Sequence, residues 1–326
     1  NYGKQASLQG LSLNLPTGCI YGLLGPNGAG KSTTMKIIAT LLSPDRGSVR
    51  IGGLDALRHP RLARARLGYV GQDCALDKIL TGREHLIFQA DLHHLSDSEI
   101  KQRCNELIWQ FNMSNWIDNR CGTYSGGMRR RLELACGLIH KPQLLILDEP
   151  TVGLDIESRS TIWQAVADLR DQGTSVLLST HYLEEVEALA DQVGIIDQGR
   201  MIAEGNPNEL KKSLGGDRIS LRIHEFTPRN IAEEAAQLLR RCNGIRSLVV
   251  DADQGNGLHA VIEHADIIPM IRTCLSEAGL PLFSLSHAQA SLGDLYLQAT
   301  GRSISDADQS ASANRDLKRE RRRAMR

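Results

Sequence analysis

The 326-residue sequence is short of aromatic residues, at 4%, and has no run of eighteen apolar residues. The first shortage argues against a surface built for stacking bases, the second against a helix that spans a bilayer. Ordered cysteine spacing is missing too: the seven cysteines stand at 19, 74, 104, 121, 136, 242 and 274, with no CxxC pair. That scatter excludes a disulfide framework or a zinc ribbon and reads as small core residues in a reducing compartment. Net charge is absent as well, with 38 Lys+Arg against 38 Asp+Glu, which speaks against a chain dominated by nucleic-acid phosphate contacts. The balance is uneven, however, because residues 315–326 hold seven basic and two acidic side chains and leave about −5 on the first 314. The opening Asn1-Tyr2-Gly3-Lys4 carries no signal-peptide core, and without an initiator methionine the first strand is expected to be truncated. What is present is an ordinary globular composition, 41% hydrophobic and 23% charged, at a length that favours two domains.

Residues 18–25 form an apolar run that breaks at glycines and leads into a helical pattern over 31–42. Strand, glycine loop and helix in that order are what a phosphate site requires. A turn-rich stretch over 43–53 predicts a hairpin outside the main sheet, and 80–120 reads as a small helical insert. Leu144–Leu147 and Ser175–Thr180 are unbroken apolar strands separated by helices, which predicts a parallel sheet covered on both faces. Polar groups then gather at the strand carboxyl ends, where such sheets bind ligands. Residues 193–203 read as a closing hairpin, and a boundary falls near Leu214-Gly215-Gly216. Beyond it the order β-α-β-β-α-β over about 217–300 predicts a ferredoxin-like α+β domain. Residues 301–326 read as a disordered basic tail.

Gly25-Pro26-Asn27-Gly28-Ala29-Gly30-Lys31-Ser32-Thr33 fits GxxxxGK[ST]. The glycines let backbone N–H groups turn toward a phosphate, Lys31 reaches the β and γ oxygens, and Ser32 ligates Mg²⁺ at the positive end of a helix. Asp148 and Glu149 end a buried strand, so one carboxylate is placed to hold the metal through water and the next to polarise an attacking water. Together these residues predict a nucleoside-triphosphate-hydrolysing α/β domain.

Tyr124-Ser125-Gly126-Gly127-Met128-Arg129-Arg130-Arg131 resembles the signature of ABC ATPases, and the rest of that family's pattern follows in order over residues 2 to about 212. Tyr2 matches the aromatic that stacks on adenine, Gln72 the Q-loop glutamine, Gly153-Leu154-Asp155 the D-loop and His181 the switch histidine. The signature also has its own physics: Ser125 as N-cap, with Gly126 and Gly127, presents a hydroxyl, backbone donors and a positive dipole to an anion. Tyr124 and Met128 depart from the Leu and Gln of the consensus. Together with Leu80-Thr81-Gly82-Arg83-Glu84 and the closing segment 290–297, this variant resembles the branch that energises type-2 exporters of the daunorubicin-resistance kind.

The resemblance implies a P-loop cassette over 1–212, with a parallel core sheet, an antiparallel subdomain and a helical subdomain at about 76–136, followed by a regulatory α+β domain. It implies ATP and Mg²⁺ as ligands. Lys31, Gln72, Glu149 and His181 are then catalytic, Ser32, Gln72 and Asp148 metal-facing, and Ser125–Gly127 and Asp155 nucleotide-facing. The chain holds one phosphate loop and one signature, half of each of two sites, so a homodimer closing as an ATP sandwich is implied. A separate membrane permease is implied as partner, with the chain peripheral on the cytoplasmic side of the inner membrane. A soluble ABC ATPase acting in translation, repair or cofactor assembly is the competing reading. For the basic tail three readings stand side by side: a solvated end, contact with anionic headgroups, and nucleic acid, the last opposed by the lack of aromatics. Arg83-Glu84 reads equally as a partner contact or as a helix start, and His93-His94 as a solvated loop.

Overall fold

The computed structural model describes residues 7–72, 76–225, 227–251 and 255–308. The expected role of Tyr2 and of the basic residues 315–326 therefore lies outside the described residues. Contacts divide the chain into two units, 1–24 with 29–201 and 25–28 with 202–326.

The first unit runs β1 (Ile20–Leu24), α1 (Lys31–Ile38), β2 (Arg50–Ile51), β3 (Leu54–Asp55), α2 (Pro60–Arg64), β4 (Leu67–Val70), α3 (Gly82–Leu92), α4 (Asp97–Gln110), α5 (Gly126–Leu138), β5 (Leu144–Asp148), α6 (Ile156–Asp171), β6 (Ser175–Thr180), α7 (Leu183–Leu189) and β7 (Gln192–Asp197), and the chain passes out of it within β8 (Arg200–Gly205). Six strands form a sheet in the order β4-β5-β6-β1-β7-β8. From β4 to β7 every pairing is parallel. The apolar strands are buried on both faces, and their alternation splits the core in two. Ile20, Leu145, Leu147, Val176 and Leu178 join the cluster under α4, α5 and α6, while Tyr21, Leu23, Leu144, Ile146 and Leu177 join the one that includes Met35 of α1 and Ala63 of α2. Among the described residues β2 and β3 pair with each other alone, slightly downstream of the predicted hairpin. The closing hairpin turns at Gln198-Gly199, both at positive φ, as a two-residue turn between twisted strands requires.

The helical insert has clean starts. Thr81 caps α3 and Ser96 caps α4, each with a reciprocal glutamate, Glu84 and Glu99, in a capping box. Glu84 is thus accounted for as a helix start. His93 departs from the solvated reading: its ring stacks on His140 with centroids 3.7 Å apart and planes within 5°. Burial lowers the His93 pKa and pushes the His140 imidazole down to about 4, so both rings stay neutral near pH 7.

In the second unit, α8 (Pro207–Ser213) leads into β9 (Asp217–Arg222), α9 (Arg229–Leu239), β10 (Ile245–Asp251), β11 (Gly257–Ile262), α10 (Ile268–Glu277), β12 (Ser284–Gln289) and α11 (Leu292–Thr300). The sheet order β10-β11-β9-β12, antiparallel throughout, is the predicted ferredoxin-like arrangement. The disordered reading of 301–326 needs correction at its start. Residues 304–308 are helical, Ile304 and Ala307 are buried, and Ser303 accepts the Asp306 N–H at 3.2 Å. Two apolar residues three apart behind a serine cap suffice for one turn, and the polar composition of the segment hid them.

Candidate active site

Parallel register places the site. Leu24 pairs with Thr180, Ser179 with Asp148 and Leu147 with Val70, so four strand ends share one edge of the sheet. From that edge β1 launches the glycine loop, β4 leads to Gln72, β5 ends in Asp148 and Glu149, and β6 leads to His181.

The loop needs its glycines. Gly28 and Gly30 sit at φ +85° and +114°, and a Cβ on Gly30 would stand 2.8 Å from the Leu8 side chain. Gly30 starts α1, and the Ala29 carbonyl accepts from Gly199 N–H at 2.8 Å, tying the loop to the β7–β8 turn. The Asn27 N–H donates to the Asp308 carboxylate, an anionic acceptor. Gly25, Pro26 and Ala29 are buried, and Thr33 follows Ser32 inside α1.

Around Glu149 the predicted residues converge. Its carboxylate lies 3.6 Å from Lys31 Nζ and 3.5 Å from His181 Nδ1, and accepts from Gln72 Nε2 at 2.9 Å. Burial pushes the Glu149 carboxyl up, but the neighbouring His181 and the Lys31 ammonium outweigh that and hold it below the ordinary glutamate range. Ser32 Oγ donates to Asp148 Oδ1 at 3.1 Å, which brings together two hard oxygens of the kind a magnesium ion takes. The Gln72 amide is turned to Glu149 rather than to this pair.

Ser179 was not foreseen. Fully buried, it donates to Asp148 Oδ1 at 2.6 Å while its Oγ accepts the Glu149 N–H at 3.1 Å, and so fixes the two carboxylates relative to each other. Its only sequence signal is a hydroxyl two positions before His181, beside that of Thr180, at the end of the Val176–Leu178 apolar run. Thr151 and Trp163 donate to the buried Glu185 at 2.9 and 3.2 Å behind the site, and this too escaped the sequence.

The signature belongs to α5. Ser125 is its N-cap, accepting Met128 N–H at 3.2 Å, and Ser125 and Gly126 are exposed. A Cβ on Gly127 would come 2.4 Å from Ser158 Oγ, so the glycine lets α5 approach α6. Asp155 caps α6, donated to by Ser158 N–H at 2.8 Å, with its carboxylate engaged in that cap. Tyr124, the departure from the consensus, is buried; its hydroxyl accepts Gly82 N–H at 3.2 Å and shares its proton among the Trp116, Ile117 and Asn119 carbonyls at 3.0–3.2 Å. Burial pushes that phenol up to about 12.

A glycine loop before a helix, a lysine in that helix's first turn and a carboxylate pair at a nearby strand end define a phosphate-loop nucleoside triphosphatase. The family model "ABC transporter" matches residues 8–152. The daunorubicin/doxorubicin resistance ATP-binding protein of Streptomyces peucetius is 40% identical over 321 residues, spanning 97% of this chain and 94% of that protein. The linearmycin resistance ATP-binding protein of Bacillus subtilis (strain 168) is 36% identical over 305 residues, covering 94% and 97%. Among solved structures, an ATP-binding subunit of an ABC transporter aligns with TM-score 0.60 and 31% identity over 66% of this chain and 89% of that one. The chain belongs to the ABC transporter ATP-binding proteins and is an ABC ATPase.

Proposed function

We propose that this chain is the ATP-hydrolysing subunit of an exporter, working as a homodimer beneath a separate membrane permease. The convergence of Lys31, Gln72 and His181 on Glu149 carries the hydrolytic half of this reading. Likeness over 97% of the chain to a drug-resistance ATP-binding protein supports the export half. Among the described residues no helix is long and apolar enough to cross a membrane, and a separate permease as the path is part of this reading.

In the nucleotide-bound dimer Lys31 exchanges Glu149 for phosphate oxygens. Glu149, ionised at neutral pH, then takes the proton of the attacking water while His181 faces the γ-phosphate. Ser32 and Asp148, whose oxygens meet at 3.1 Å, would hold Mg²⁺, which when bound would neutralise charge on the phosphate oxygens. The Ser125–Gly127 end of α5, exposed at Ser125 and Gly126, faces the γ-phosphate held by the other copy. Hydrolysis removes that contact and releases the dimer.

The permease is assigned to the groove between α3 and α4, about 390 Å³, lined by Arg83, Ile87, Asp91, Ile100, Lys101 and Cys104 among others. α3 also exposes Phe88 and Leu92, apolar side chains open to a partner. Arg83 is held there by Asp118 through bonds of 2.6 and 3.1 Å. Cargo is read by the permease, since no part of this site faces it.

Glu149→Gln keeps ATP binding, lowers turnover by about 10³-fold and accumulates as a dimer with ATP and Mg²⁺ in size-exclusion chromatography. A variant that stays monomeric at saturating nucleotide refutes the sandwich. Mild detergent extraction should bring down a membrane protein with the wild-type chain; recovery of ribosomes or soluble assembly factors alone refutes export.

A further inference from the structure

Arg130 lies one turn into α5 and is only 7% exposed. Its guanidinium donates to the Pro150 carbonyl at 2.8 Å, to the Asp148 carbonyl at 3.3 Å and to the Gly71 carbonyl at 2.8 Å. Glu133, one turn further along the helix, balances the charge at 3.1 Å. The acceptors are not scattered. Asp148 and Pro150 stand on either side of Glu149, and Gly71 directly precedes Gln72, the side chain that donates to Glu149 at 2.9 Å. Glu149 itself sits at φ +49°, a left-handed conformation that a non-glycine residue keeps only when its surroundings hold it there.

We infer that Arg130 is a positioning residue for hydrolysis: it clamps the backbones that carry Gln72 and Glu149 and joins that pair to α5, the helix whose first turn is the signature. The inference rests on the reading of Glu149 as the base. A guanidinium suits the task because its donors spread over a rigid fork, so one side chain holds two separate loops; a lysine ammonium offers its donors from a single atom. The helix that meets the partner's γ-phosphate thereby shares a rigid linkage with the groups that attack this copy's own. A shift of α5 displaces the carbonyls on both sides of Glu149 and the one before Gln72 together.

The position also explains a charge on a core stripe. Gly127, Arg130, Leu134 and Leu138 repeat at helical spacing and are all buried, so Arg130 occupies a place where an apolar side chain would pack. A buried charge is retained at such a place only with its donors satisfied.

The test is steady-state ATPase kinetics on the full chain for Arg130→Met, Arg130→Lys and Gln72→Ala, singly and as the double variant Arg130→Met with Gln72→Ala. Arg130→Met is expected to lower kcat by about 10²-fold, the scale of a misplaced catalytic group, with KM for ATP and ATP-induced dimerisation retained. Arg130→Lys recovers part of the loss. Because both residues act on one geometry, the double variant should be slower than the worse single variant by no more than about threefold. Independent, multiplying losses overturn the proposal, as does an unchanged kcat, or a loss across Arg130→Lys and Arg130→Met that simply follows melting temperature. Glu149→Gln is run alongside: turnover surviving in that variant overturns the base assignment, whereas an inactive Glu149→Gln with a fully active Arg130→Met overturns the positioning role alone.

Discussion

At the scale of single residues, the chemistry concentrates where side chains with functional groups end apolar strands. Lys31 was legible from the glycine-loop motif and Asp148 and Glu149 from their place at the end of an apolar strand, whereas Gln72 and His181, ordinary loop polar groups taken alone, were picked out only by the family resemblance. Ser179 was not, since a serine inside a buried strand is unremarkable until its two partners are seen. Arg130 was concealed within a run of three arginines whose members differ only in helical phase. Glu185 makes a separate prediction. Burial raises its pKa despite the donors Thr180, Thr151 and Trp163, and its Oε2 has no hydrogen-bond partner among the described residues. The folded state therefore binds this proton more tightly than the unfolded chain. Stability from Glu185 is fully present below the unfolded value of about 4.3 and is lost as pH rises through the raised one. Glu185→Gln keeps an acceptor for Thr151 and Trp163 without the charge. Thermal denaturation should find it more stable than wild type at pH 8, and the advantage should shrink as pH is lowered toward 4. A destabilised variant at pH 8 would mean that the ionised carboxylate is compensated by its neighbours.

At the scale of elements, apolar runs gave β1, β5 and β6 to within a few residues, because two-sided burial demands unbroken apolar sequence, whereas the helices of the insert were read only as a block. Side-chain links between elements left no such trace. Tyr124 is the clearest: at sequence level it is a substitution in the signature, whereas in the structure it bonds the loop before α5 to the first N–H of α3 and to three carbonyls of the 116–119 segment. The nearby Gly82 fits the same hydroxyl, since a Cβ there would stand 2.7 Å from it. Tyr124→Phe preserves the edge contact with Trp116 but leaves the Gly82 N–H without its acceptor. We expect a loss of about 1–3 kcal/mol in denaturant unfolding, with ATP affinity unchanged because the cap at Ser125 is untouched. Equal stability of the two proteins would show that water replaces the hydroxyl.

At the scale of the whole molecule, the ATPase site accounts for one surface of the first unit and leaves the α3–α4 groove without a task. Motif reading left Arg83-Glu84 of the helical insert as either a partner contact or a helix start and did not reach the groove, because a docking surface is specified by shape and exposure rather than by a residue string. Ile87 lies in that groove, 39% exposed, next to Phe88 at 52%. Both belong to α3, whose start is fixed by the Thr81–Glu84 capping box and whose buried side is held by Leu86 and Ala90. An exposed apolar residue on so firmly anchored a helix can be replaced without disturbing the fold, typically within about 0.5 kcal/mol. Ile87→Asp places a charge where an apolar partner surface would have to close over it, and burying that charge unpaired is costly. The variant should therefore fold and bind ATP as the wild type does, yet lose most of the membrane protein that co-purifies after mild detergent extraction. Undiminished co-purification would exclude this groove as the permease contact while leaving the hydrolytic site as described.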